Sequence, residues 1–318
     1  MHILKRYIHS LQLKDSQGDV ILNDSVDYQK FLHFLDVFCA AKNKTVLYRG
    51  TNRLSVYNVE VFNTKEFSRK MFMVGCKGHY YEPHKTALFC IDDCSEDLFG
   101  FIFDKINEII HSLHSQREEI KYFFERNDNI NDYFSNNSNR LHFISSIKVL
   151  GNNLQHEMKD YYLSLMHVMG KKVSPNSYMI STSKQLHTAQ CFQNGGVVIV
   201  TWIHSSRRKD TIIKFVDVNR TEEHVRELGL PFYKKSPYYG QQEICIKGGI
   251  VPHFIIGYAY KHSFIVNPYL LSQISDEYNV DEIIKNGIDI DQKDFNIVLD
   301  DTQYKGGFIT IDGFYFDF

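Results

Sequence analysis

The spacing of apolar residues changes part-way along this chain, and that change limits the architectures open to it. Between about residues 64 and 170, Leu98, Ile102, Ile106, Ile109 and Leu113 recur at helical spacing, as do Leu150, Leu154, Met158, Tyr161 and Leu165. From residue 173 onward the apolar residues fall instead in short runs divided by turn residues: SYMISTS, GGVVIVTWI, DTIIKFVDV, QQEICIKGG, PHFIIGYAY, HSFIVNP, NIVLD and GFITIDGFYF. Helical interruptions are expected near 183–192, 221–228 and 281–286. A helical half followed by a strand half predicts an α+β chain with segregated elements rather than a βαβ alternation. Ahead of both, Asp24 or Ser25 can cap a helix carrying Phe31, Leu32, Leu35 and Phe38, and TVLYRG reads as a strand ending at Gly50. A second strand is expected at LSVYNVEVF. The Asn-rich stretch RNDNINDYFSNNSN favours turns, so it reads as a surface loop between two helices.

Composition removes several function classes. Thirty-six Lys and Arg against 38 Asp and Glu leave a formal charge of −2, so whole-molecule electrostatics gives no argument for DNA or an anionic membrane. With 43% hydrophobic and 23% charged residues, the 318-residue chain can bury a core, and wholesale disorder is excluded. Lys5 and Arg6 interrupt what would be a signal-peptide core, and no apolar run nears the roughly 20 residues of a membrane span. A cytoplasmic protein with reduced thiols is expected. The six cysteines offer one C-x3-C pair, Cys90 and Cys94, with no second pair to complete a zinc site. His79 and His84 near that pair fit no common spacing, and His111 and His114 lack carboxylates nearby, so no metal is expected. Walker and Gly-x-Gly-x-x-Gly patterns are absent, which argues against a P-loop or Rossmann nucleotide site. No Gly-x-Ser-x-Gly elbow is present for a serine hydrolase.

Three segments each set a functional group at the end of an expected strand: Arg49 in LYRG, Ser181 in YMISTSK and Glu243 in YYGQQEICI. In that order, Tyr48-Arg49-Gly50, Ser181-Thr182-Ser183 and Gln241-Gln242-Glu243 resemble the motifs of ADP-ribosyltransferases of the Arg-Ser-Glu class. KQLHTAQCF after the serines resembles that family's short helix ending in an aromatic, and GGVVIVTWI the strand that follows. The match spans roughly residues 46 to 257, although most of 63–170 has no counterpart. FRG domains, named for the same Arg-Gly strand end, look like relatives. The resemblance implies one ADP-ribosyltransferase-like domain over 1–318: a split β core with an N-terminal helical half, a helix-rich insertion at 64–170 and a C-terminal β extension at 271–318.

The resemblance also implies roles, with NAD as co-substrate and no metal. Glu243 would accept from the ribose 2′-OH and stabilise the positive charge that develops as the nicotinamide bond breaks. Arg49 offers a planar fork suited to a diphosphate or the adjacent ribose. Gly50 would leave room for backbone contacts to the carboxamide, and Ser181, followed by Thr182 and Ser183, would hold Glu243 and the ribose in register. Phe192 or Tyr178 would wall the nicotinamide. Gln241 before the glutamate accompanies asparagine- and guanine-modifying members more than arginine-modifying ones. The loop before it pairs Lys234 and Lys235 with Tyr238 and Tyr239, amines beside stacking rings that suit a single-stranded nucleic acid. Arg207, Arg208 and Lys209 could extend that surface. The resemblance thus implies a macromolecular acceptor, either a protein side chain or a nucleic-acid base such as one in single-stranded RNA. By analogy, free-standing relatives resemble toxins or antiphage defence effectors, which implies a neutralising antitoxin partner. An NAD glycohydrolase with water as acceptor, and a catalytically inactive interaction module, remain the alternatives.

Overall fold

A computed structural model describes residues 2–52, 74–75, 94–169, 179–205, 214–216, 225–233, 239–247, 249–250, 252–274, 280–291, 293, 308–309 and 315–316. In chain order the helices are α1 (Ile3–His9), α2 (Val26–Ala40), α3 (Glu96–His111), α4 (Glu118–Arg126), α5 (Asp128–Ser135), α6 (Asn139–Lys148), α7 (Asn152–Met169), α8 (Leu186–Gln193), α9 (Pro268–Gln273) and α10 (Val280–Asn286). The strands are β1 (Gln12–Lys14), β2 (Lys44–Thr51), β3 (Val74–Gly75), β4 (Met179–Ser183), β5 (Val197–His204), β6 (Lys214–Val216), β7 (Glu243–Lys247), β8 (Gly249–Ile250), β9 (Ile255–Tyr260), β10 (Ser263–Val266), β11 (Phe308–Ile309) and β12 (Tyr315–Phe316). The class is α+β, as the change of period predicts. The chain divides into two compact units, one of Met1–Gly75, Ile180–Lys214 and Gly248–Phe318, the other of Cys76–Met179 and Phe215–Lys247.

In the first unit the strands form an open mixed sheet in the order β1-β10-β9-β5-β2-β4. β1 runs parallel to β10, while β10, β9, β5, β2 and β4 are joined by antiparallel pairs. β5, read from GGVVIVTWI, is buried at every position, as a continuous β-branched run must be when both faces are covered. Ser25 caps α2 by accepting from the Tyr28 backbone N–H, and α2 turns Phe31, Phe34, Leu35 and Phe38 into the core. Phe38 meets Trp202 edge to face, with ring centres 5.5 Å apart, and the Trp202 indole N–H donates to the Ile284 carbonyl of α10 at 3.0 Å. Gly50 stands opposite Val198, and Val198 and Trp202 point to the same side of β5. α8, seated at Gly50, therefore shares a face with α2.

His253 lies in this core, 8% exposed, and burial lowers its imidazole pKa to about 4, with Asp289 opposing the shift. The unfolded chain takes up that proton near pH 6.5, so between pH 6.5 and 4 it binds more protons than the folded chain. Stability is complete above the unfolded value and is lost as pH falls towards 4, by about 3 kcal/mol from this group. Urea unfolding at pH 7, 5.5 and 4 should show the loss, and His253→Gln should flatten it. An unchanged slope in that variant would rule His253 out as the source.

The second unit is built on long helices. Ser95 caps α3 by accepting from the Leu98 N–H, and Glu96 and Asp97 favour its positive end. Leu98, Ile102, Ile106 and Ile109 are buried along one stripe. The stretch expected as a loop at 126–139 instead contains helix α5. Ile130 and Phe134, one turn apart and fully buried, outweigh the turn preference of the Asn and Asp residues around them. Phe134 joins Phe103, Phe143 and Tyr162 in an aromatic cluster with ring centres 5.0 to 5.9 Å apart. Tyr161 stacks on Tyr233 at 4.9 Å, and the Tyr162 hydroxyl donates to the Pro231 carbonyl at 2.7 Å.

The helix-rich stretch expected at 64–170 corresponds, from residue 76, to this unit, which also takes in 215–247. At the C-terminus α10 is the helical interruption expected near 281–286, while α9 runs a few residues into the β extension expected at 271–318, and the antiparallel pair of β11 and β12 follows. The expected strand at 54–62 and the run at 296–300 lie outside the described residues. Among the described residues, no helix is long and apolar enough to cross a membrane.

Candidate functional site

The described candidate site residues fall in two groups, one in each unit. In the first unit, β2 lies between β5 and β4, and the pairing of Tyr48 with Ser183 brings the Arg49 and Ser181 motifs onto neighbouring strands. Arg49 Nη1 donates to the Ser181 carbonyl at 2.8 Å, and Arg49 Nε is buried with no hydrogen-bond partner among the described residues. A buried guanidinium N–H is costly to leave unsatisfied, so this fork is held in place with a donor still to place. Thr182 and Ser183 are buried and Ser181 half-buried. The Ser183 hydroxyl accepts from the Gln185 N–H at 2.9 Å, which shapes the turn into α8.

Gly50 has a structural reason for lacking a side chain. A Cβ there would stand 1.7 Å from the Ala189 carbonyl oxygen and 2.9 Å from the Gln193 nitrogen, both backbone atoms of α8. The space that the sequence reading left for carboxamide contacts is filled by helix on the side-chain face of Gly50. Phe192, in the last turn of α8, is 55% exposed, which leaves its ring free to stack on a ligand. Burial raises the neighbouring Tyr48 hydroxyl pKa well above its ordinary value, so this phenol is neutral.

Glu243 belongs to the second unit, where it opens β7 directly after a 3-10 turn at Tyr239–Gln241 and a left-handed Gln242 with φ of 45°. That conformation is uncommon for a residue with a Cβ and turns the chain sharply into the strand. Strand alternation puts Glu243 and Cys245 on one face and Ile244 and Ile246 on the other, where both isoleucines are buried. Cys245 Sγ donates to Glu243 Oε1 at 3.7 Å, and the donor atoms of His167, Glu243 and Cys245 all lie within 4.8 Å of one another. Burial, reinforced by the Glu243 carboxylate, pushes the Cys245 thiol pKa well above its ordinary value.

α7 presents further polar groups. Lys159, fully buried, places Nζ 3.2 Å from His156 Nδ1, which lies 3.4 Å from Cys94 Sγ, and the Ser164 hydroxyl donates to the Asp160 carbonyl at 2.6 Å.

Of the acceptor-side residues, Gln241 is half-buried in the 3-10 turn and Tyr239 contributes backbone to it. Lys234, Lys235, Tyr238, Tyr178 and the 207–209 basic run lie outside the described residues, as do His79, His84 and Cys90. His167 and Cys245 are the functional candidates that sequence reading passed over. The Glu-x-Cys alternation was a readable signal on the strand, whereas His167 is 243 − 167 = 76 residues away from its partner and nothing local marks it. No family model, curated protein or solved structure matches this chain.

Proposed function

We propose that this chain is an NAD-dependent mono-ADP-ribosyltransferase with an ADP-ribosyltransferase-like split β core, acting on a macromolecular acceptor. The observation that carries the reading is the contact between two motifs 132 residues apart, Arg49 Nη1 to the Ser181 carbonyl at 2.8 Å. One arm of the guanidinium is fixed on the protein and a buried N–H remains for a ligand oxygen, an arrangement suited to a diphosphate. Ser181 and Arg49 orient the co-substrate, and Phe192 offers an aromatic surface to its nicotinamide. Glu243 supplies the negative charge that the oxocarbenium-like transition state calls for. In the reaction the ribose C1′–nitrogen bond breaks, nicotinamide leaves with the bonding pair, and the acceptor nucleophile bonds to C1′ and loses a proton. Gln241 and the Lys-Tyr loop select the acceptor, a protein side chain or a nucleic-acid base. By the same analogy a toxin or defence role follows, with a neutralising protein as partner.

The test is purified protein, chelator-treated, incubated with labelled NAD and a cell lysate split into RNase-, DNase- and protease-treated portions. Label that is lost with one treatment only establishes the transferase and names its acceptor class. Free ADP-ribose and nicotinamide without label transfer would identify a glycohydrolase. Intact NAD with no binding by calorimetry would overturn both and leave an interaction module.

A further inference from the structure

We infer that His167, Glu243 and Cys245 form a binding site for a thiophilic divalent cation of the zinc class. All three belong to one compact unit, and they come from two elements, the last turn of α7 and one face of β7. Their donor atoms lie within 4.8 Å of one another. Glu243 Oε1 and Cys245 Sγ, at 3.7 Å, are near the separation of about 3.5 Å that tetrahedral angles impose on bonds of about 2.3 Å to sulfur and about 2.0–2.2 Å to oxygen.

The donor set decides the metal. One imidazole nitrogen, one carboxylate and one thiolate suit zinc, or cobalt in its place, while calcium and magnesium take oxygen ligands. Thiolate and carboxylate together bring two negative charges to the ion's two positive ones. Three protein ligands leave the fourth position to water, the pattern of an open site. Loading breaks the Cys245 S–H bond, forms a sulfur–metal bond and releases the proton to solvent.

The surroundings favour a built site over chance proximity. A strand with polar residues on a solvated face needs no partner for them, but here Cys245 is fully buried and the opposite face of β7 is buried too. Ser164 and Asp160 of α7 lie near the Cys245 sulfur and supply the outer polar shell that orients metal ligands. A cation here would hold the carboxylate on which the transferase reading relies. The site itself does not rest on that reading, and its readout is optical.

Full-length protein freed of metal by chelation and titrated with cobalt(II) tests the assignment. The expected result is one equivalent bound, with thiolate-to-cobalt charge-transfer absorption and tetrahedral d–d bands, both displaced by zinc. Cys245→Ser should remove the charge-transfer band, and His167→Gln should weaken binding more than about 10-fold. Cys191→Ser and Cys94→Ser should change neither, since Cys191, 3.7 Å from His187, and Cys94, 3.4 Å from His156, are the competing thiol-imidazole pairs among the described residues. Circular dichroism checks that each variant is folded, and His167→Gln stands as an independent test should Cys245→Ser fail to fold. No binding by the unaltered protein, or a charge-transfer band that persists in folded Cys245→Ser, would overturn the site.

Discussion

On the proposed transferase reading, Glu243→Gln is expected to lower ADP-ribosyl transfer about 10²–10³-fold, the usual consequence of removing one preorganised electrostatic partner from a transition state. The substitution keeps the side chain's shape and one acceptor oxygen, so the Cys245 thiol still has a neighbour at Oε1 and the change isolates the charge. Stability should move by less than about 1 kcal/mol, the scale of one hydrogen bond altered in character but not lost. Bound NAD carries no cationic ribose until the nicotinamide bond stretches, so the carboxylate acts mainly in the transition state. The loss should therefore fall on kcat, with KM for NAD nearly constant. Initial rates at saturating and limiting NAD separate the two, on protein of defined metal content because the same carboxylate is a ligand of the inferred cation site. A fall in KM affinity with kcat unchanged would make Glu243 a binding residue, and an unchanged rate would remove it from the chemistry.

What could be read from the sequence depended on whether a signal was local. The stripes at Leu98 to Ile109 and Met158 to Leu165 set α3 and α7 because burial imposes the helical period directly on neighbouring residues. Asn-rich α5 escaped for the same reason in reverse. Its local composition favours turns, and the helix is fixed by the burial of Ile130 and by Phe134 reaching aromatic rings of three other helices. Arg49 and Ser181 were found as motifs, but the hydrogen bond that joins them depends on β2 and β4 pairing across 132 residues. His167 carried no signal at all, since a lone histidine in the last turn of a helix reads as a C-terminal charge preference. Gly50 was visible only as part of a motif. Its packing against α8 is a tertiary fact, and it gives that glycine a purpose independent of any ligand.

That purpose leads to the largest stability effect expected here. Gly50→Ala should cost more than about 3 kcal/mol, beyond the usual range for one extra methyl group in a core. The added carbon would lie 1.7 Å from the Ala189 oxygen, 2.6 Å from the Ala189 carbonyl carbon and 2.9 Å from the Gln193 nitrogen. All three are backbone atoms, so no rotamer change relieves the overlap, and α8 must move away from β2 as a body. The displaced helix follows directly on β4, whose Ser181 carbonyl holds the Arg49 guanidinium, so the strain reaches the candidate site along one covalent connection. Gly151→Ala is the matched control, with nothing within 4 Å of the new carbon and an expected change within about 0.5 kcal/mol. Urea midpoints of the two variants make the comparison. Equal midpoints would mean that α8 is not seated on β2, and the account of Gly50 would fall with it.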